Sequence, residues 1–449
     1  MNAMKNSNNA SNGNALSHFD VIISGGGLSG SLMALSLSKL TKADGSLLSI
    51  AIIEALPFNQ TSPTDENTLF DARVLALSHG SAQYLAELGI WQYIKDDACA
   101  ITNIDISDRG HFAKTRLTAN AYNVNALGYV VDMAVIGKAQ LKALSHHANK
   151  VNNNVQWFSP DSIRSIDWQV DNEIHLQSQS QSQSQSQSHV NITLSSNKVL
   201  SANLLLGCDG GQSPVRKLAK IDVTASDYQQ VALIANVSTS KAHNNKAFER
   251  FTAFGPIAML PLKPLTSSSL SNASHGLSRS SLVWTMTPEQ GAEINKLDDD
   301  AFNVALERAF GSYLGAITQV GKRDIYPLTL LQAQQQTYHR MALVGNASHT
   351  IHPIAGQGFN LGLRDVKVMA DLVSNALAKG TDIGNFGLLN AYQMNRAKDQ
   401  QQIIQLTDSL VTLFANDLPP LVVGRNIGLQ ALNIISPLKN SLVKKTMGY

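Results

Sequence analysis

At 449 residues the chain is long enough for two or three domains with a sizeable core, and its 43% apolar content is ordinary for a globular protein. Charged residues are sparse at 15% and the net charge is +2, which argues against a nucleic-acid binder. The two cysteines, Cys99 and Cys208, lie far apart with no CxxC pairing, so a disulfide framework or thiolate zinc site is not expected and a reducing compartment fits.

Residues 1–18 are rich in Asn and Ser and lack the charged start and apolar middle of a signal peptide, so they read as a disordered tail. FDVIIS (19–24) then reads as a buried strand running into GGGLSG, followed by the helical spacing of SLMALSLSKL and a second strand in LLSIAIIEA. This is a βαβ opening with Gly25, Gly27 and Gly30 in GxGxxG register. The first glycine allows the tight turn, the second a close backbone approach to a pyrophosphate, and the third close helix–strand packing; the helix N-terminus favours the phosphate charge. Glu54, at the end of the second strand, is placed to hold ribose hydroxyls. The spacing predicts a bound dinucleotide, and the absence of a second GxGxxG and of a separate catalytic domain favours FAD over a nicotinamide dinucleotide there.

The six QS repeats at 177–188, between NEIHL and HVNITLSS, read as the expanded tip of a hairpin. TSSSLSNASHGLSRSS, between MLPLKP and LVWTM, reads as a second one. VLSANLLLGCDGG and RMALVGNA read as buried strands ending in glycine turns. LVGNASHTIHPIAGQGFNLGLRD (343–365) carries His349 and His352 three apart, but no third ligand at a recognisable spacing, so no metal is expected. Its glycines suit backbone amides closing on an anionic group ahead of a helix starting near Asn360. From about Asp365 the chain reads as helical. No stretch has the length of a membrane span; the closest is interrupted by Arg425, Asn426 and prolines. A cytoplasmic protein is expected, at most peripheral to the inner membrane through its amphipathic tail, with Lys439, Lys444 and Lys445 among Leu and Val.

Three blocks carry a family resemblance: DARVLALSHGSAQYLAELGIW (71–91), GCDGGQSPVR (207–216) and the 343–365 segment. With the N-terminal glycines they resemble the para-hydroxybenzoate-hydroxylase-like, single-component FAD monooxygenases. ERFTAFGPIAMLPL and SLVWTM point to the ubiquinone-biosynthesis branch, and among its members to those acting on 2-polyprenyl-6-methoxyphenol. The resemblance implies an α/β fold in which a Rossmann-like FAD-binding domain (19–101, 126–222 and 325–375) is interleaved with a β-sheet substrate domain (102–125 and 223–324), with a C-terminal helical region (376–449).

The resemblance also implies that Asp209 and Gly210 lie near the FAD pyrophosphate and that Arg73 lies near the flavin. It implies that Asn346 contacts the ribityl chain where the family pattern has Asp, and that Pro353, Gly356, Gln357, Gly358 and Asn360 surround the ring. No side chain is assigned as catalytic, because the flavin carries the chemistry. The implied reaction uses NAD(P)H and O2, through a C4a-hydroperoxyflavin, to convert 2-polyprenyl-6-methoxyphenol to 2-polyprenyl-6-methoxy-1,4-benzoquinol. Other ubiquinone-pathway proteins, a membrane surface and a second copy of the chain stand as possible partners. The ring carbon, the tail length, the choice between NADH and NADPH and the oligomeric state are open at this stage. So are an FAD oxidoreductase without oxygen insertion and a non-catalytic assembly subunit.

Overall fold

The computed structural model describes residues 17–57, 73–108, 114–150, 153–168, 188–252, 255–264, 278–351, 356–415 and Met447. Its organising element is a parallel sheet. β1 (Ser17–Ser24) lies between β11 (Val199–Gly207) and β2 (Ile50–Ile53), with β19 (Met341–Leu343) beyond β11 and β8 (Val155–Phe158) beyond β2. Both faces of these strands are covered, which explains their unbroken apolar sequences. On one face Val21, Ile23, Ile50 and Ile52 pack with α1 (Leu28–Ser38), α3 (Met133–Lys150) and α7 (Gln357–Ala378). On the other, Ile22, Ala51 and Ile53 pack with β9 (Ile163–Trp168), β10 (Val190–Leu194) and α4 (Pro214–Leu218). β18 (Thr337–Tyr338) closes the edge beside β19.

β9 and β10 pair antiparallel, Val190 opposite Trp168, as the hairpin expected around the QS repeats. The strand pairing with HVNITL is SIRSIDW's Ile163–Trp168; NEIHL and the repeats lie outside the described residues.

The second sheet runs β20 (His349–Thr350), β17 (Asp324–Ala333), β12 (Val223–Thr239), β15 (Ser278–Met286), β14 (Gly255–Leu262), β13 (Lys246–Thr252), β5 (Asn103–Asp108), β6 (Lys114–Thr118), with β16 (Ile317–Val320) also on β12. β14 and β15 pair antiparallel across the Ser-rich segment. One face is apolar and packs on α5 (Pro288–Lys296) and α6 (Asp299–Phe310) through Leu233, Phe248, Ile257, Met259, Leu282 and Trp284. A capping box at Thr287 and Gln290 starts α5, and the Asp298 side chain caps α6.

A small third sheet, β3 (Val74–Ser78), β7 (Gly128–Asp132) and β4 (Cys99–Ile101), sits against the opposite face of the large one. There Val74, Ile101 and Val130 meet Ala247, Leu260 and Leu262. α2 (His79–Glu87) follows β3 directly and is capped by Ser78.

Two expected boundaries shift. Residue 325 falls inside β17, whose pairing with β12 keeps 324–333 in the nine-stranded sheet, so the chain returns to the parallel sheet only after Ala333. Residue 376 falls inside α7, and the helical region continues from it into α8 (Phe386–Ala415). No described helix is long and apolar enough to cross a membrane.

Candidate functional site

The carboxyl ends of β1, β2, β11 and β19 converge on one rim, and each ends in a residue singled out by sequence. Gly25 follows β1 at φ +92, in the left-handed region, and a Cβ there would lie 2.7 Å from the Cys208 carbonyl oxygen. A Cβ on Gly30 would collide with the Gly25 carbonyl oxygen, so these two glycines are fixed by the protein's own backbone. Gly27 differs: it caps α1 in extended conformation, and nothing lies within 4 Å of the Cβ it lacks. That leaves a cradle at a helix N-terminus, the feature a phosphate approaches.

Glu54 is buried, and its Oε2 accepts from the Gly26 N–H at 2.7 Å while Oε1 accepts from Leu56 N–H at 2.8 Å. The acid is therefore aimed across the glycine turn. Asp209, just past β11, accepts through Oδ2 from Val215 N–H (3.0 Å) and the Ser24 hydroxyl (3.3 Å). Its Oδ1 is buried with no partner among the described residues. Burial pushes this carboxyl's pKa up, against hydrogen bonds that favour the charged form. An orphaned oxygen facing the same turn is an acceptor in search of a donor. Gly210 follows at φ +80 with open space around it.

A residue that sequence reasoning left without a role joins two of the motifs. Arg216 is 4% exposed; it donates from Nη1 to the Ala347 carbonyl and from Nη2 to the Gly211 carbonyl, both at 2.8 Å. The turn after β11 is thereby held to the turn after β19. Asn346 lies on that second turn, the 3-10 segment Gly345–Ala347, and is exposed.

Beneath this turn sits a buried polar network. Asp365 on α7 is fully buried. Its Oδ2 accepts from Gly345 N–H (2.9 Å) and His349 Nε2 (2.8 Å), and its Oδ1 from Arg396 Nε (2.6 Å) and Gln400 Nε2 (3.2 Å). Burial alone would raise this carboxyl, but attraction and hydrogen bonds from His349 and Arg396 outweigh it and hold it at about 2. Arg396 also meets Asp399 at 2.8 Å. His349 is thus a partner of Asp365; His352 lies outside the described residues. Sequence offered a signal for this network. Tyr392, Arg396, Gln400 and Ile403 recur on one face of α8, so an arginine stands in a buried stripe.

The glycine segment before α7 is fixed from below. Gly356 caps the helix at φ +60, and a Cβ there would sit 2.8 Å from the Ala76 side chain. α7 begins at Gln357 rather than near Asn360. The Asn360 amide is fully used by protein: Nδ2 donates to Ala76 and Gly356 carbonyls (2.8 and 2.6 Å), and Oδ1 accepts from Ser78 N–H (2.8 Å) and the Ser81 hydroxyl (2.7 Å). It staples the loop to β3. Gln357 is buried, and a Gly358 Cβ would meet nothing closer than Ile351 at 4.0 Å. Pro353 lies outside the described residues. Arg73, leading into β3, sets its guanidinium 5.1 Å from the centre of the Tyr326 ring on β17, between the small and large sheets.

Gly25, Gly27, Gly30, Glu54, Asp209 and Gly210 therefore form one rim around the parallel strands. Gly356, Gln357, Gly358 and Asn360 start α7 against β3, and Arg73 faces the large sheet. The glycine cradle, the buried Glu54 carboxylate and the orphaned Asp209 oxygen fit a dinucleotide of the FAD type.

Comparison with known proteins gives the same direction. The family model described as FAD binding domain matches residues 18–407. A ubiquinone hydroxylase, UbiL, from Rhodospirillum rubrum is 30% identical over 438 residues, covering 96% of this chain and 89% of that one. The 3-demethoxyubiquinol 3-hydroxylase of Escherichia coli K12 is 30% identical over 429 residues, covering 96% and 98%. In fold, the chain is similar to pqsL, a probable FAD-dependent monooxygenase from Pseudomonas aeruginosa. The TM-score is 0.69 at 19% identity, over 92% of this chain and 99% of the other.

Proposed function

The chain belongs to the FAD binding domain family, among the ubiquinone-biosynthesis hydroxylases, and from that premise we propose that it hydroxylates 2-polyprenyl-6-methoxyphenol to 2-polyprenyl-6-methoxy-1,4-benzoquinol, with NAD(P)H and O2 as co-substrates. Its class is that of an FAD-dependent monooxygenase acting on a small phenolic ring. The observation that carries this reading is the joined pair of turns, Asp209–Gly211 and Gly345–Ala347, tied through Arg216 at the rim of a parallel sheet.

Bound FAD supplies the hydride acceptor and the oxygen-activating ring; the chain's residues bind, orient and exclude water. Gly27 and the α1 N-terminus would receive the pyrophosphate, Glu54 the ribose hydroxyls, and Asp209 a donor from the same cofactor. Asn346 offers a carbonyl acceptor to the ribityl chain without a charge. The backbone at Gly356, Gln357 and Gly358, positioned by Asn360, supports the flavin ring, and the α7 N-terminus favours negative charge there. Arg73 would lie near the flavin as a fixed cation able to meet phosphate or nicotinamide charge. Apolar side chains on the large sheet's inner face would pack against a polyprenyl tail. A peripheral membrane contact delivers such a substrate.

The test is direct. Purified protein carries FAD, NADPH bleaches it anaerobically, and air restores it with product formed. Isotopically labelled O2 places one labelled atom in the quinol. Protein that carries no flavin, or product without the label, sinks the reading.

A second reading concerns ring position, since the Escherichia coli relative is named as a 3-hydroxylase. The intermediate that accumulates when the gene is deleted separates the two.

A further inference from the structure

On the inner face of the large sheet one carboxyl stands among apolar side chains. Strand register sets Ile106 (β5), Glu249 (β13), Ala258 (β14), Val283 (β15) and Ile234 (β12) side by side in one row. All five are half-buried. Their sequence neighbours Phe248, Ile257, Leu282, Trp284 and Leu233 point the other way, into the core with α6. Side chains alternate across a strand, so the Glu249 row faces the FAD-binding part of the molecule. The next row, with Ala247 and Leu260, packs on Val74 of β3 and Ile101 of β4. β3 also abuts Gly356 at the start of α7, and Arg73 ahead of it meets Tyr326 on the same sheet face. Glu249 thus stands as a carboxyl in an apolar row, between the sheet and the proposed flavin site.

Burial, with no cation compensating it among the described residues, pushes the Glu249 carboxyl up to about 7. The other charged or titratable groups on that face stand apart from Glu249, and Asp324 ends the same row on β17, beyond Ile234. Asp108 is opposite Phe251, in the following row. On β17, Asp324 pairs with Lys322, and Tyr326 lies under Arg73. Asp132 of β7 has Arg279 as its charge partner. α8, which lies against β13 and β14, commits Asp408 to Tyr228. An acid held beside apolar neighbours, with no cation next to it among the described residues, is costly, and such positions concentrate at functional sites.

Resting on the phenol-hydroxylase reading above, we propose that Glu249 is a catalytic residue that accepts the hydrogen bond, and then the proton, of the substrate's phenolic hydroxyl. The O–H bond breaks, the proton moves to a Glu249 carboxylate oxygen, and the electron pair stays on the phenol oxygen, where it conjugates into the ring and raises nucleophilicity at the ortho and para carbons. Nothing is oxidised or reduced in this step. After oxygen transfer the attacked carbon releases its hydrogen as a proton to solvent, the C–H electron pair restores the ring, and Glu249 returns its own proton to the ring oxygen and is again a carboxylate. The surrounding Ile106, Ala258, Val283 and Ile234 give the ring and its tail an apolar bed, so the one polar contact fixes which way the hydroxyl points.

The experiment compares wild type, E249Q and E249D as FAD-loaded holoenzymes on 2-methoxy-6-prenylphenol, with flavin content as the folding control. Wild-type turnover rises as pH increases through about 7. E249Q loses that limb and about 100-fold in kcat, and electrons from NADPH appear as hydrogen peroxide instead of quinol. E249D, one methylene shorter, keeps the limb at a lower rate. A fluorinated analogue whose hydroxyl is already ionised recovers much of the E249Q loss. E249Q turning over within threefold of wild type, or E249D losing the limb while holding FAD, overturns the role of Glu249 and leaves the function standing. Wild type that forms no quinol from any phenol, while its flavin still cycles with NADPH and air, overturns the function and this proposal with it.

Discussion

Arg396 on α8 donates to Asp365 on α7 at 2.6 Å, with both side chains inside the protein, and the other oxygen of that carboxylate holds His349 and the Gly345 amide. Arg396, from outside the 343–365 segment, thus joins Gly345, His349 and Asp365 within it, under the turn that carries Asn346. Asp365→Asn removes the negative charge and leaves Arg396 and His349 against a neutral amide. Breaking a buried pair in this way costs about 3–5 kcal/mol. We expect a matching fall in the urea midpoint of the holoprotein and loss of FAD on gel filtration. A midpoint unchanged from wild type would show that the network adds no stability.

The same carboxyl gives stability a pH dependence of known sign. Its folded pKa, about 2, lies below the ordinary carboxylate value of about 3.9, so its contribution is fully present above that ordinary value and is lost as pH falls through 2. The stability gap between wild type and Asp365→Asn should be level from pH 5 to 8 and close between about pH 4 and 2. Urea titrations at each pH read it directly. A gap that widens as acid is added would contradict the assignment.

The three N-terminal glycines are predicted to fail differently. Gly30→Ala meets the Gly25 backbone, which has no room to give, so the turn misfolds and soluble yield falls. Gly27→Ala meets no protein atom within 4 Å; the fold persists and FAD binding weakens at least about tenfold. Circular dichroism and flavin titration separate the two. Equal FAD affinity in Gly27→Ala and wild type would mean that the cofactor does not approach there.

Arg216 makes a parallel case away from the cofactor itself. Arg216→Gln keeps at most one of two charge-assisted bonds to carbonyls, a loss of about 1.5–3 kcal/mol. We expect a protein that folds, binds FAD more weakly and becomes more sensitive to proteolysis. Wild-type affinity in this variant would show that the two turns do not depend on each other.

Asn346 is exposed on its turn and is not part of the Asp365 network, so charge there has no buried partner to disturb. Asn346→Asp should keep FAD bound, with a dissociation constant within a few-fold of wild type by flavin fluorescence. A large loss would mean that charge at this turn opposes the cofactor.

Much of this was legible in sequence because it depends on local rules. FDVIIS followed by GGGLSG fixes a buried strand, a left-handed glycine and a helix start within twelve residues, and backbone sterics leave few other solutions. The two Ser-rich interruptions fall between antiparallel strands for the same local reason. What tertiary structure alone decided depends on residues far apart in the chain. Asp365 reads as the end of a motif, and Arg396, 31 residues on, becomes its partner only when α7 and α8 pack and a buried carboxylate requires a cation. Arg216 gains its role only when the Ala347 carbonyl, 131 residues away, becomes its neighbour. Glu249 gains its role from strand register across five strands, which places one acid in an apolar row. Sequence periodicity tells which residues alternate, but only the assembled sheet tells which face turns toward the flavin site.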